Sequence, residues 1–344
     1  MMENATFEKC LICNNLAELI HKDFPGYQKP FKFYIYHCKY CNTSFSLPRT
    51  DAYLIYEKIY KNVKNIPGYD RYWYYAENIK NQTKPLRYLC ENEDIYWAIN
   101  EGLKLIVNNI NTSMLLDIGS GLGYLTYALN MAGYNTIGAD ISIEAVNNAK
   151  SRFGNYYLCA DISELIRLFP GKFDVVILAE LLEHVESPID FIESVKKLLK
   201  PYGSIIITTP NKSFYSDDLI WATDLPPVHM WWFSEESFKV IAERGKMLIN
   251  YINYHEFYKK KWHAVDMNFY RNLKFIRSVL NSDSSINPEI NFDYNKKVNF
   301  LKQQAKRYFY PFLKLYGNIY KLFNDNIKIC DKKGVTLCVI LTNK

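Results

Sequence analysis

The run Leu115-Leu116-Asp117-Ile118-Gly119-Ser120-Gly121-Leu122-Gly123-Tyr124-Leu125 constrains this chain more than any other stretch. An apolar strand ends in an acid, three glycines alternate, and an apolar helix begins. So tight a strand-to-helix turn needs backbone angles that side chains disfavour, and a ligand that touches main chain needs the Cβ atoms absent. The run therefore predicts the first βα unit of a parallel sheet with a ligand at its carboxyl edge.

The flanking sequence continues that pattern. Apolar runs at 114–118, 135–139, 156–159, 173–178 and 204–208 read as strands, separated by helical stretches at 122–132, 143–153 and 188–199. Pro201 and Gly203 end the last helix. This α/β alternation defines a core over 112–254. Residues 335–342 (VTLCVILT) read as one more strand, able to join the edge of the same sheet. Residues 255–332 are then a helical insertion and 333–344 the final strand of the core. Ahead of the core, 51–111 is aromatic-rich and helical, and 1–50 forms a separate small module.

The spacing of the glycines separates two ligand chemistries. A diphosphate cradle uses G-x-G-x-x-G over a helix N-terminus. Here the order is D-x-G-x-G-x-G, and a carboxylate two residues before the first glycine repels a diphosphate but suits an ammonium group. That chemistry points to S-adenosylmethionine (SAM), with Asp117, Gly119, Ser120, Gly121 and Gly123 around its methionine half. Asp140, followed by Ile141, ends the next strand, where an acid accepts ribose hydroxyls. Asp161 and Ile162 follow the third strand and are placed to hold and cover adenine, and Ala179 ends the fourth. With GADIS (138–142), CADI (159–162), FDVVILAELLEHV (173–185) and LKPYGSIIITTPN (199–211) in this order, the segment resembles the class I SAM-dependent methyltransferase family. The resemblance implies a Rossmann-like sheet, SAM as cofactor and methyl transfer as the activity.

Transfer to oxygen or nitrogen needs a proton removed, and His184 and His229 are the candidates. His184 follows the fourth strand in Glu183-His184. His229 lies in Leu225-Pro226-Pro227-Val228-His229-Met230-Trp231-Trp232-Phe233, a proline-stiffened aromatic loop after the fifth. The plainer alternatives are a helix-capping His184 and a His229 that satisfies a loop carbonyl. Tyr69-Asp70-Arg71-Tyr72-Trp73-Tyr74-Tyr75 reads either as a lid over the cofactor or as ordinary helix packing, in a chain that holds 29 tyrosines.

Eight cysteines divide into two kinds. Cys10-x-x-Cys13 and Cys38-x-x-Cys41 flank a strand-like run at 31–36, and two such knuckles can close a four-thiolate structural zinc site. A module of about 50 residues has little core of its own, so a metal would carry much of its folding. Cys90, Cys159, Cys330 and Cys338 read as small buried apolar residues. A zinc ribbon, an aromatic stretch and a class I core together resemble bacterial methyltransferases of sugar and surface-polysaccharide clusters, deoxysugar C-methyltransferases among them. The chain departs from the latter after the core, where they carry a second α/β domain. An oxygen acceptor on a small molecule or glycan is the expectation, with carbon methylation as an alternative.

The formal charge of +6 is modest and does not by itself imply nucleic acid. Residues 255–330 nevertheless hold 14 Lys/Arg against 6 Asp/Glu, interleaved with aromatics. That surface suits RNA phosphate, a nucleotide diphosphate or an anionic membrane, or is simply a solvated face, so an RNA substrate is a second reading. A SAM-binding scaffold without turnover is the reading outside enzymes. No run of 18 apolar residues spans a membrane and the N-terminus lacks a secretory pattern, so a cytoplasmic location is expected.

Overall fold

The computed structural model describes residues 6–50, 52–66, 68–215, 225–267, 277–290 and 327–344. The chain opens with four short antiparallel strands, β1 (Phe7–Lys9), β2 (Leu16–Pro25), β3 (Lys32–Cys38) and β4 (Thr43–Leu47). Four helices follow: α1 (Tyr53–Asn62), α2 (Asp70–Asn78), α3 (Pro85–Asn92) and α4 (Asp94–Ile106). In α1, Ile55 and Ile59 are buried, one turn apart, and set its inward face.

The expected alternation then appears. It runs β5 (Met114–Ile118), α5 (Tyr124–Met131), β6 (Asn135–Asp140), α6 (Ile143–Phe153), β7 (Tyr157–Cys159), α7 (Ile162–Leu168), β8 (Phe173–Ala179), α8 (Pro188–Lys196) and β9 (Leu199–Pro210). Their local signals are plain: Ser142 caps α6 through the Ala145 N–H, and Asp161 and Glu164 form a capping box on α7. Strands β5, β6, β7, β8 and β9 are mutually parallel, and their almost wholly apolar sequences fit a sheet covered on both faces.

After β9 come a two-residue strand β10 (Trp231–Trp232), helix α9 (Glu235–Arg244), β11 (Leu248–Tyr251), α10 (His255–Lys260), β12 (Ala264–Asp266), β13 (Ile327–Ile329) and β14 (Thr336–Thr342). The main sheet has the order β11-β14-β9-β8-β5-β6-β7. The final strand β14 therefore enters the sheet's interior, antiparallel to both β9 and β11, rather than its edge. The edge belongs to β11, a strand hidden from the sequence by its mixed run Leu-Ile-Asn-Tyr. Strands β12 and β13 pair antiparallel, so the segment between them leaves and returns at one place, as an insertion does. Of the expected helical insertion 255–332, the described residues hold one short helix, α10, the strands β12 and β13 and a non-helical stretch 277–290, which corrects the helical reading there; 268–276 and 291–326 lie outside the described residues.

The small module is not an appendage. Strand β10, far along the chain, pairs with β4 in the register Trp231↔Phe45 and Trp232↔Ser44, completing a five-stranded sheet β1-β2-β3-β4-β10. Tyr36, Phe45, Trp231 and Phe233 share one core with the main sheet's Ile118, Val176 and Leu178. Among the described residues no helix is long and apolar enough to cross a membrane.

Candidate active site

The glycine turn joins β5 to α5. Gly119, Gly121 and Gly123 all take positive φ (+75°, +49° and +82°), which explains their residue type directly. A Cβ on Gly123 would stand 2.6 Å from Ala149 Cβ and 2.7 Å from the Tyr157 ring, so the third glycine lets α5 pack on α6 and β7. The turn is pinned to β6: Gly119 N–H and Ser120 N–H donate to Ala139 O. Asp140 accepts from Gly121 N–H (2.8 Å) and from Ser142 N–H (2.9 Å). Asp140 thus stands beside the turn, as its expected ribose role requires. Burial pushes its carboxyl above the usual range, and those two N–H donors oppose the shift.

Asp117 sits deeper than the sequence suggested. It is 1% exposed and accepts the Thr126 hydroxyl of α5 at 2.7 Å, and burial pushes its carboxyl up to about 7. It lies under the turn as a floor. Asp161 is exposed and caps α7, with Ile162 half-buried beside it. Ile141 leaves 56% of its surface exposed, and the Cys159 thiol points to its carbonyl, so an apolar side chain stands uncovered where adenine is expected. Ala179 ends β8 half-buried. The next residue, Glu180, holds φ at +51°, a conformation rare for residues with side chains and often found at functional sites.

Helix α1 covers this turn. Tyr60 Oη lies 3.2 Å from where a Gly121 Cβ would be, and Glu57 accepts the Ser142 hydroxyl at 2.7 Å. Burial raises both phenols: Tyr60 goes well above its usual value with Asp140 adding to the shift, and Tyr72 rises with Arg71 opposing and Glu180 adding. Tyr56, Tyr60, Tyr69 and Tyr72 are half-buried and pack against the main core. A helical repeat of tyrosines at 56 and 60 was the one sequence signal for this wall.

The two candidate histidines meet. Their ring centroids are 4.3 Å apart at 76°, and Glu183 brings a third ligand-type atom within 4.8 Å of both. His184 belongs to a single 3₁₀ turn, Leu182–His184. Its Nδ1 lies 2.5 Å from Val228 O. A carbonyl only accepts, so Nδ1 carries the hydrogen and Nε2 keeps the lone pair. Tyr56 donates to the same carbonyl at 3.1 Å and meets the His184 ring edge-on. Burial pushes the Tyr56 phenol up, and the charges of Glu183, Tyr27 and Asp140 add to the shift. His229 is pushed down to about 3 by burial and is therefore a neutral ring.

The loop that carries His229 is held by the small module. Tyr27 N–H donates to Pro226 O and Ser46 N–H to Met230 O, on either side of the histidine. In that module Cys10–Cys41 and Cys13–Cys38 sulfurs lie 3.6 and 3.4 Å apart, and all four fall within 4.8 Å of one another. A tetrahedron with metal–sulfur bonds of about 2.3 Å has edges of roughly 3.8 Å, so the four thiols fit zinc. Each knuckle turns on an asparagine at positive φ, Asn14 (+65°) and Asn42 (+49°), directly after its second cysteine. Hydrogen bonding from Cys10 holds the Cys38 thiol low, while the same network pushes Cys10 and Cys41 up. Four such sulfurs ionise together only around a cation. The ribbon is fastened to the core by Ser234 and Ser237, whose hydroxyls donate to Cys41 O, and by Arg244, which donates to Leu11 O and Ile12 O.

A methyltransferase-domain family profile matches residues 96–245. The ubiquinone biosynthesis O-methyltransferase of Colwellia psychrerythraea is 33% identical over 141 residues, 40% of this chain and 56% of that protein. The protein of the same name from Methylococcus capsulatus is 35% identical over 103 residues, 28% of this chain and 44% of that protein. The chain spans about half the length of the curated relatives it matches. A solved SAM-dependent methyltransferase from Thermotoga maritima overlaps 84% of this chain and all of its own, with 14% identity and a TM-score of 0.45. Residues 96–245 thus match a methyltransferase domain, the part of the chain that holds the glycine turn and both histidines.

Proposed function

We propose that this chain transfers the methyl group of SAM to a hydroxyl of a small polar acceptor, a sugar or polysaccharide precursor. One observation carries the reading: helix α1 touches both halves, with Tyr56 against His184 and Val228 O, Glu57 accepting from Ser142 beside Asp140 and Tyr60 over Gly121, so a candidate base adjoins the cofactor cradle. Gly119, Ser120, Gly121 and Gly123 would present main chain to SAM, and Asp140 the ribose carboxylate. Ile141, Asp161 and Ile162 would enclose adenine, and Ala179 would flank the sulfur. Asp117 would add negative potential for the ammonium group. When bound, SAM supplies a methyl group on a positively charged sulfur.

His184 takes the hydroxyl proton on Nε2, because Val228 O fixes the hydrogen on the other nitrogen. His229, neutral and packed against it, shapes the pocket and holds the ring in place. The relatives' names support oxygen as the acceptor atom. A hydrogen-bonding acceptor is supported by Tyr27 Oη, Trp232 Nε1 and His229 Nδ1, buried atoms with no partner among the described residues. Each such atom costs about 1–3 kcal/mol unless water or a ligand satisfies it. Zinc, held by Cys10, Cys13, Cys38 and Cys41, would have a closed shell and no part in the transfer.

The test is methyl transfer from labelled SAM into fractionated host extract, with and without RNase. Label in RNase-resistant, hydroxyl-linked sugar material is the expected result. Label lost on RNase treatment would replace this reading with RNA methylation, and binding without any transfer would leave a SAM-binding scaffold.

A further inference from the structure

We infer that the five-stranded sheet of the cysteine ribbon recognises the acceptor directly, with Tyr27 Oη, Ser46 Oγ and Trp232 Nε1 bonding oxygen atoms other than the hydroxyl that is methylated; the inference deepens the reading above and rests on it. The sheet buries polar atoms on one face. Ile35 pairs with Ser46 and Trp232 with Ser44, so the strand alternation puts all four side chains on the same side. Ile35 and Trp232 enter the core shared with Leu225, Val228 and the half-buried Tyr56, whereas Trp231, on the opposite face, enters the other core. Ser44 meets His37 Nδ1 at 3.0 Å. Ser46 Oγ and Trp232 Nε1 have no hydrogen-bond partner among the described residues, although both residues are 1% exposed. Each such atom costs about 1–3 kcal/mol if nothing pairs with it, so packing alone does not account for these residue types.

Tyr27 lies in the turn between β2 and β3. Its N–H donates to Pro226 O at 2.7 Å and its carbonyl accepts from Leu280 N–H at 2.9 Å, which wedges the turn between the histidine loop and the segment 277–290. Its phenol is 1% exposed and has no partner among the described residues. The three groups converge on the loop that carries the candidate base. Pro226 and His229 share one turn, closed by His229 N–H donating to Leu225 O at 3.1 Å, and Val228 O of that turn holds both His184 and Tyr56. Ser46 N–H donates to Met230 O, the residue after His229, and Trp232 follows two residues later. The donor set also names the ligand's chemistry. An indole N–H only donates, so it must face an oxygen lone pair, whereas the two hydroxyls donate or accept. None of the three carries a charge, so they suit the neutral hydroxyl and ring oxygens of a polyhydroxylated acceptor. An acceptor with one hydroxyl on an apolar frame would leave them unpaired, and sites built to bond oxygen discriminate strongly against such a compound.

The experiment compares the full chain as wild type, Tyr27→Phe and Ser46→Ala, each of which removes a hydroxyl and little else. Thermal unfolding is read without acceptor, SAM affinity by calorimetry, and transfer from labelled SAM over a dilution series of RNase-treated host extract. Both variants are expected to unfold at the wild-type temperature or above it, because the hydroxyl removed has no partner in the free protein. SAM affinity should stay within about 3-fold, which also shows that the variants are folded. The amount of extract that gives half-maximal transfer should rise about 5- to 50-fold, with a smaller change in maximal rate. A lowered unfolding temperature with unchanged half-saturation would mean that the hydroxyls serve the fold, and overturns the inference. Unchanged half-saturation at unchanged stability overturns it as well. Absence of label from RNase-resistant material with the wild type removes the reading of the acceptor itself, a result distinct from both.

Discussion

The glycine turn and the histidine pair occupy one edge of one sheet, yet they are assembled in opposite ways. The turn and Asp140 lie within residues 117–140, and their contacts are mostly backbone N–H groups fixed by the β5–β6 register. The histidine pair draws on Tyr27, Tyr56, His184 and Val228–His229, groups from distant parts of the chain that come together next to the pairing of β4 with β10. A shared cofactor needs a local, rigid frame, whereas an acceptor site built from distant pieces changes without disturbing that frame.

The largest effect expected is on the cradle. Asp140→Ala removes a charged acceptor from Gly121 and Ser142 and the ribose partner, so SAM affinity should fall roughly 100-fold or more while the melting profile stays cooperative. Unchanged affinity by calorimetry would break the assignment of the cradle. On the opposite wall, His184→Asn should lower turnover by about 10²–10⁴-fold and leave SAM affinity within about 3-fold. Equal losses in both would mean that the two halves are one unit.

Smaller effects sharpen the contrast. Gly123→Ala forces a Cβ into Ala149 and Tyr157 at positive φ, and should cost about 1–3 kcal/mol in denaturant unfolding. Gly154→Ala, at a glycine-only backbone conformation but with open space around it, should cost the backbone strain alone, about 1–3 kcal/mol, and less than Gly123→Ala, which adds the clash. The two regions should also tilt stability with pH in opposite directions. His229 is held near 3 from an ordinary 6.5, so the unfolded chain binds its proton more readily between those values, and stability from this residue is lost as pH falls through that window. Asp117 is held near 7 from 3.8, so the folded chain keeps its proton, and stability from this residue is lost as pH rises from about 3.8 to 7. His229→Phe should flatten the acid-side loss and Asp117→Asn the loss toward neutral pH, both read from unfolding midpoints. Identical profiles for the variants and wild type would contradict these environments.

The same contrast explains what the sequence reveals. The turn, Asp140 and the order of β5 to β9 are legible because glycine spacing and apolar runs are local signals. The four cysteines are legible for the same reason, since each knuckle is a turn of its own. Strand β10 is not, because two tryptophans after a double proline carry no period. Their strand character comes from Phe45 and Ser44 across the sheet. The cover formed by Tyr60 and Glu57 depends on how α1 lies over Gly121, a tertiary placement that a tyrosine-rich composition obscures. Glu180 betrays itself only by its backbone angle, and Asp117's depth only by its contact with Thr126.

The measurement that tests the account most directly is SAM affinity and methyl transfer into extract, on one preparation before and after removal of bound metal. Metal bound near one equivalent per chain, followed on its removal by loss of transfer with SAM affinity held within about five-fold, is the expected result. It would show that the cysteine ribbon positions the His229 loop and leaves the glycine turn intact. Loss of SAM binding together with transfer, or transfer that survives without metal, would contradict the division of the site into a local cradle and an acceptor wall held by the ribbon.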